Sequence, residues 1–200
     1  MIITAIKQQV KRKDRYSIYV DGTYAFSLSE AGLIESRLAS GQELTASALH
    51  DLKKAAGLDK AYGNALRYVA MRPRSEWELR DYLRRKEVDE VAGTHIAERL
   101  RAVGLLDDLA FARSWVANRR LLKSVSKRRL RLELQQKHVP STVADQALAE
   151  DTTSEQDALR ELVNRKQARY PDKQKFIQYL ARQGFSFDDI SAALDQRQTD

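Results

Sequence analysis

A repeat constrains this chain more than any other feature. Shifting the sequence by 51 residues lays Ser75 on Ser126, Leu79 on Leu130, Leu83 on Leu134, Lys86 on Lys137 and Val88 on Val139. A shift of 97 lays Leu79 on Phe176, Leu83 on Leu180 and Val88 on Phe185. Each copy follows an amphipathic helix, carrying Leu66 and Val69, then Phe111 and Trp115, then Leu159 and Leu162. Each precedes a shorter one, carrying Ile96 and Leu100, then Val143 and Leu148, then Ile190 and Leu194. Units of this size bury little core alone and gain stability by stacking. The chain therefore reads as mainly α, with three tandem three-helix repeats forming an elongated array over residues 59–106, 107–150 and 151–200. An N-terminal element, residues 1–58, precedes them as a small β-hairpin with short helices.

Capping chemistry marks the helix starts. A Ser hydroxyl can accept an early backbone N–H while an acid three residues on answers it, and Ser75 with Glu78, Ser154 with Asp157 and Ser186 with Asp189 fit that spacing. Asp107-Asp108 and Asp188-Asp189 fall at helix starts, where they complement the helix dipole, so they are not read as a catalytic pair. The polar run Glu150-Asp-Thr-Thr-Ser154 reads as a flexible joint on which the third unit pivots. Trp77 and Trp115 occupy periodic positions and are expected in the core.

The N-terminal element alternates in strand fashion. Tyr16, Ile18 and Val20 point one way, as do Tyr24, Phe26 and Leu28, with Ile2, Thr4 and Ile6 as a third strand. A two-residue Asp21-Gly22 loop would pair Val20 with Thr23 and put the two apolar triplets on opposite faces. An odd-length loop with Gly22 left-handed is therefore expected. Beyond it, Gly32, Gly41 and Gly57 punctuate two short helices ending near Leu58.

Charge narrows the partner. The chain carries +7 with a pI near 9.6, which favours an acidic partner, nucleic acid or protein. Between Arg113 and Lys137 there are nine Lys or Arg against the single acid Glu133. A merely solvated face would mix signs, and Leu130 and Leu134 turn Lys127, Arg128 and Arg131 outward. A second group, Arg72, Arg74, Arg80, Arg84, Arg85 and Lys86, sits among Glu76, Glu78, Asp81 and Glu87, where ion pairing along the helix is the simpler reading. The contact residues expected from charge are Arg119, Arg120, Lys123, Lys127, Arg128 and Arg131, with Arg72, Arg74, Arg84 and Arg85 beside them.

Catalysis finds no footing. There is no Cys, His50, His95 and His138 lack ligand spacing, and no Gly-rich phosphate loop occurs. No catalytic, metal or cofactor-binding residue is expected. The N-terminus is charged too early for a secretory segment and no apolar run spans a bilayer, so a cytoplasmic protein without membrane association is expected.

Several ordered motifs resemble the RecX family. These are Arg74-Ser-Glu-Trp-Glu-Leu-Arg-Asp-Tyr-Leu83, Gly104-Leu-Leu-Asp-Asp-Leu-Ala-Phe-Ala-Arg-Ser-Trp115 with Arg119, Leu130 to Lys137 with Glu133-Leu134, and Tyr179-Leu-Ala-Arg-Gln-Gly-Phe-Ser186. The resemblance covers about residues 60–194. It implies tandem three-helix repeats that bind the RecA recombinase filament on single-stranded DNA, lie in its groove and repress ATPase and strand exchange without catalysis. It also implies a monomer acting in DNA repair and the SOS response, and some members carry an N-terminal β extension. Family repeats often place Gly after the Lys that ends the second helix. Here Glu87 and His138 stand there and only Gly184 is kept, so the first two of those helices are expected to end differently. Ser124-Val-Ser126 replaces another expected Gly. The residues by themselves leave open a general nucleic-acid-binding protein using its repeats as DNA readers, or a pure interaction scaffold.

Overall fold

A computed structural model describes residues 1–195; the last five residues of the expected third unit, 196–200, lie outside it. Its order is β1 (Ile3–Gln8), β2 (Arg15–Val20), β3 (Thr23–Ser29), α1 (Glu30–Ser36), α2 (Ala46–Ala70), α3 (Glu76–Arg84) and α4 (Glu90–Ala102). There follow α5 (Asp108–Lys123), α6 (Lys127–Gln136), α7 (Ser141–Glu150), α8 (Glu155–Lys166), α9 (Lys173–Arg182) and α10 (Phe187–Asp195). The described residues form two units: 1–72 with 79–105, and 73–78 with everything from 106 on.

The first unit opens with a sheet of order β1-β2-β3, antiparallel throughout. Its loop corrects the sequence reading. Asp21 and Gly22 form a two-residue turn with φ of 47° and 80°, and Val20 does pair with Thr23. The extra residue that the pattern required lies within β3, where Ile18 faces Phe26 but Tyr19 faces Tyr24, leaving Ala25 bulged. A second bulge at Thr4 turns Ile3, not Ile2 or Thr4, inward: Ile3 is fully buried while Ile2 is 43% exposed. The inner face, with Ile18, Val20, Phe26 and Leu28, packs against Leu49, Leu52 and Ala56 of α2.

Helix α2 runs 25 residues straight through Gly57, so the second short helix expected to end near Leu58 is instead the first half of one long helix. A helix interior tolerates Gly at a cost of about 1 kcal/mol, which the sheet on one side and α4 on the other offset. Ala65, Val69, Leu79, Leu83, Ile96 and Leu100 are buried farther along this unit.

In the second unit, Phe111, Val116, Leu130, Leu134, Val139 and Leu148 enclose one core. Leu159, Leu162, Phe176, Leu180, Phe185 and Ile190 enclose the next. The expected caps form: Glu78 N–H donates to Ser75 Oγ at 3.2 Å, Asp157 N–H to Ser154 Oγ at 3.4 Å and Asp189 N–H to Ser186 Oγ at 3.1 Å.

The helices ending at Glu87 and His138 stop just as a Gly-terminated helix does, contrary to expectation. Both residues are left-handed, with φ of 58° and 54°, and Val88 and Val139 donate back to Leu83 and Leu134 at 3.1 Å. A non-Gly residue there costs about 1–2 kcal/mol. At His138 the ring stacks on Trp77 with centroids 4.1 Å apart, which offsets part of that cost and places Trp77 at the surface, 41% exposed, instead of in the core.

A joint recurs within the second unit. Ser75 Oγ donates to the Lys137 carbonyl at 3.0 Å, and Ser126 Oγ donates to the Gln183 carbonyl at 3.1 Å. The next amide donates in turn to an acid, Glu76 N–H to Asp108 at 2.7 Å and Lys127 N–H to Glu155 at 2.8 Å. Gly184 is irreplaceable at the second joint: φ is +94°, and an added Cβ would overlap Ser126 Oγ and meet the Arg129 backbone nitrogen at 3.0 Å.

Candidate interaction surface

The basic run is far less free than its sequence suggests. Arg119 donates to Glu133 at 2.6 Å, Trp115 Nε1 donates to the same carboxylate at 3.0 Å, and Arg129 lies 3.4 Å from it. The Trp115 ring lies beneath two cations, with Arg119 4.7 Å and Lys137 5.2 Å from its centre. Lys137 also reaches Glu78 at 3.3 Å. Three of the nine cations thus converge on one buried glutamate and one indole, an arrangement that positions α5 against α6 and offers little charge to a ligand.

Arg120 is the most deeply committed. Its side chain is 9% exposed; it pairs with Asp151 at 2.7 Å and Glu155 at 3.2 Å, and donates to the Val125 carbonyl. Burial pushes the Asp151 carboxyl up, but hydrogen bonds from Arg120 and Thr153 outweigh it and hold the group below its ordinary range. Lys127 Nζ donates to the Asp151 carbonyl at 2.9 Å. The run Glu150–Ser154, expected as a flexible joint, is therefore latched: Glu150 by Arg113 at 2.6 and 2.8 Å, Asp151 by Arg120 and Lys127, Ser154 as a helix cap. Hydrogen bonding from Arg113 holds the Glu150 carboxyl low as well.

Arg131 is half exposed and pairs with Asp145 at 2.7 Å. Lys123 and Arg128, both exposed, have no partner among the described residues. In the first unit Arg84 and Arg85 converge on Asp81 at 2.5 and 3.1 Å, the helical ion pairing the sequence favoured. Arg72 is exposed, Arg74 is half-buried, and each takes part in an interaction of its own.

The charge count missed exposed leucine. Leu121 is 76%, Leu122 66% and Leu132 45% exposed. Leu121 and Leu122 adjoin Lys123, and Leu132 lies one turn from Arg128 on α6. Only part of that signal was legible: Leu121 falls off the stripe set by Phe111, Ala112, Trp115 and Val116, whereas Leu122 continues it and is exposed all the same. A repeat that exposes apolar side chains as well as unneutralised cations suits an acidic, partly apolar protein. Among the described residues no helix is long and apolar enough to cross a membrane, and no group of three or more His, Asp or Glu is placed to hold a metal ion.

Comparison with known proteins agrees with this architecture. Four family models match in chain order: the RecX N-terminal domain over residues 1–45, and the first, second and third RecX three-helix domains over 61–100, 107–148 and 154–194. Regulatory protein RecX of Levilactobacillus brevis is 36% identical over 92% of this chain and 69% of its own length. Regulatory protein RecX of Oceanobacillus iheyensis is 35% identical over 98% of this chain and 77% of its own. A crystal structure of a regulatory protein RecX superposes with a TM-score of 0.74 at 30% identity, over 97% of this chain and 98% of the other. Sheet, repeats and motif order all coincide, and the chain belongs to the RecX family of regulatory proteins.

Proposed function

We propose that the protein is a non-catalytic regulator that binds the RecA recombinase filament on single-stranded DNA and represses its ATPase and strand-exchange activities, acting as a cytoplasmic monomer. The observation that supports this reading is that the second repeat exposes both the cations Lys123 and Arg128, unpaired among the described residues, and the apolar Leu121, Leu122 and Leu132, in a chain of a family named regulatory. Bare DNA would need the cations and not the leucines; a recombinase protomer uses both. Arg119, Arg120 and Lys127 serve this site by holding the helices that present it. Weak contacts on several repeats add through effective concentration, so no single one needs to be strong.

The test is the DNA-dependent ATPase and strand exchange of the cognate recombinase with saturating protein. Both activities fall if the reading holds, and unchanged rates contradict it. Fluorescence anisotropy separates it from a general DNA-binding role: a preformed filament is bound more tightly than the bare strand, whereas equal binding favours the general role.

A further inference from the structure

The repeats leave the N-terminal sheet without a task, yet most of its basic charge is unpaired among the described residues. Residues 1–29 hold five Lys or Arg, at 7, 11, 12, 13 and 15, and two acids, Asp14 and Asp21. Arg15 is buried against Asp59 at 2.9 Å. Asp14 lies 3.9 Å from Arg67, and Asp21 accepts the Ile2 amide at 2.8 Å. Lys7, Lys11, Arg12 and Lys13 make no ion pair among the described residues, and all but the half-buried Arg12 are exposed.

The last three are consecutive in the loop between β1 and β2. That loop is shaped by its own hydrogen bonds: Gln9 N–H to the Arg15 carbonyl and Arg15 N–H to the Arg12 carbonyl, both at 2.9 Å, and Gln8 Nε2 to the Lys13 carbonyl at 2.7 Å. The cations therefore project from an ordered turn and not from a frayed end.

The sheet face opposite the core supplies the second half. The register sets Lys7 beside Ser17, Ala5 beside Tyr19 and Tyr19 beside Tyr24. The two tyrosine rings meet edge to face at 6.1 Å, Lys7 Nζ stands 5.4 Å from the Tyr19 ring centre, and Tyr24 is 58% exposed. The loop cations stand at the Gln8–Arg15 end of the sheet and the exposed ring near its Val20–Thr23 end, with Lys7 between them, a track that matches a strand with phosphates and unstacked bases. A single strand uses both halves, phosphates on the cations and an unstacked base on the ring, whereas a duplex hides the faces of its bases.

We infer that the N-terminal sheet is a second binding site, for single-stranded nucleic acid: Lys7, Lys11, Arg12 and Lys13 take phosphates, and Tyr24, braced by Tyr19, stacks a base. The inference goes beyond the regulator reading and needs no recombinase.

The experiment is anisotropy of the full chain with a labelled oligothymidylate over a salt series, without recombinase. Replacing Lys11, Arg12 and Lys13 together with Ser lowers the slope of log affinity against log salt by about 2, because each phosphate contact on a single strand contributes about 0.7. Tyr24→Ser weakens binding about five- to tenfold and leaves the slope unchanged. Lys11→Arg with Lys13→Arg keeps both, which shows that the loop retains its shape under substitution. Wild-type affinity and slope in the triple-Ser variant overturn the inference. Wild-type affinity in Tyr24→Ser, or loss of binding in the Arg variant, overturns it too. Because recombinase is absent, none of these outcomes bears on the regulator reading.

Discussion

The second repeat and the N-terminal sheet are both basic, and they use their charge in opposite ways. In the repeat, seven of nine cations between Arg113 and Lys137 are bound to carboxylates or, for Lys127, to a carbonyl, by acids that come largely from outside the run. In the sheet a smaller charge stands unpaired. A cation count along the chain therefore measures how many guanidinium and ammonium groups are available for either purpose. Only the acids folded against them decide which groups build the protein and which face a partner.

The strongest way to break that contrast is Arg120→Ala. If the guanidinium is a latch, its loss strands Asp151 in a dry site and costs about 3–5 kcal/mol in urea denaturation. The loss also depends on pH. Asp151 has a lowered carboxyl pKa in the folded protein, so its stabilising contribution is present above the ordinary aspartate value near 4 and fades as pH falls through the lowered one. The deficit of Arg120→Ala is therefore largest at neutral pH and shrinks on acidification. A contact residue with no structural role would show neither effect.

Glu133→Gln comes next. It weakens the carboxylate shared by Trp115, Arg119 and Arg129 and costs about 1–2 kcal/mol. If pairing is what silences these cations, releasing them steepens the salt dependence of DNA binding. An unchanged slope would show that pairing was not what held them back.

Arg131→Ala is smaller again, below about 1 kcal/mol, because the Asp145 pair is half exposed on both sides. Smallest in stability is Lys123→Glu with Arg128→Glu. These side chains have no partner among the described residues, so the melting temperature should stay within about 2 °C of wild type while filament binding weakens.

Legibility followed sequence distance. The repeats, the Ser-x-x-acid caps and the alternation of β2 depend on neighbours within a turn or a pleat and could be read, whereas the bulges at Thr4 and Ala25 turn Ile2 and Tyr24, expected on the apolar face, outward. The pairing of Arg120 with Asp151 spans 31 residues and that of Lys137 with Glu78 spans 59, so neither leaves a local trace. The parity of Ile18, Val20, Phe26 and Leu28 demanded one extra residue in the hairpin, but parity cannot say whether it sits in the turn or, as at Ala25, inside the strand. Glu150–Ser154 looked like a hinge for the same reason: polar composition does not distinguish solvated groups from groups held by arginines elsewhere.

The most direct test of the account is a titration of the cognate recombinase's DNA-dependent ATPase with wild type and with the Lys123→Glu, Arg128→Glu variant. The account predicts that the variant, folded as stably as wild type, needs at least about tenfold more protein for half-inhibition, a loss of about 1.4 kcal/mol in binding. Superimposable titration curves would contradict it.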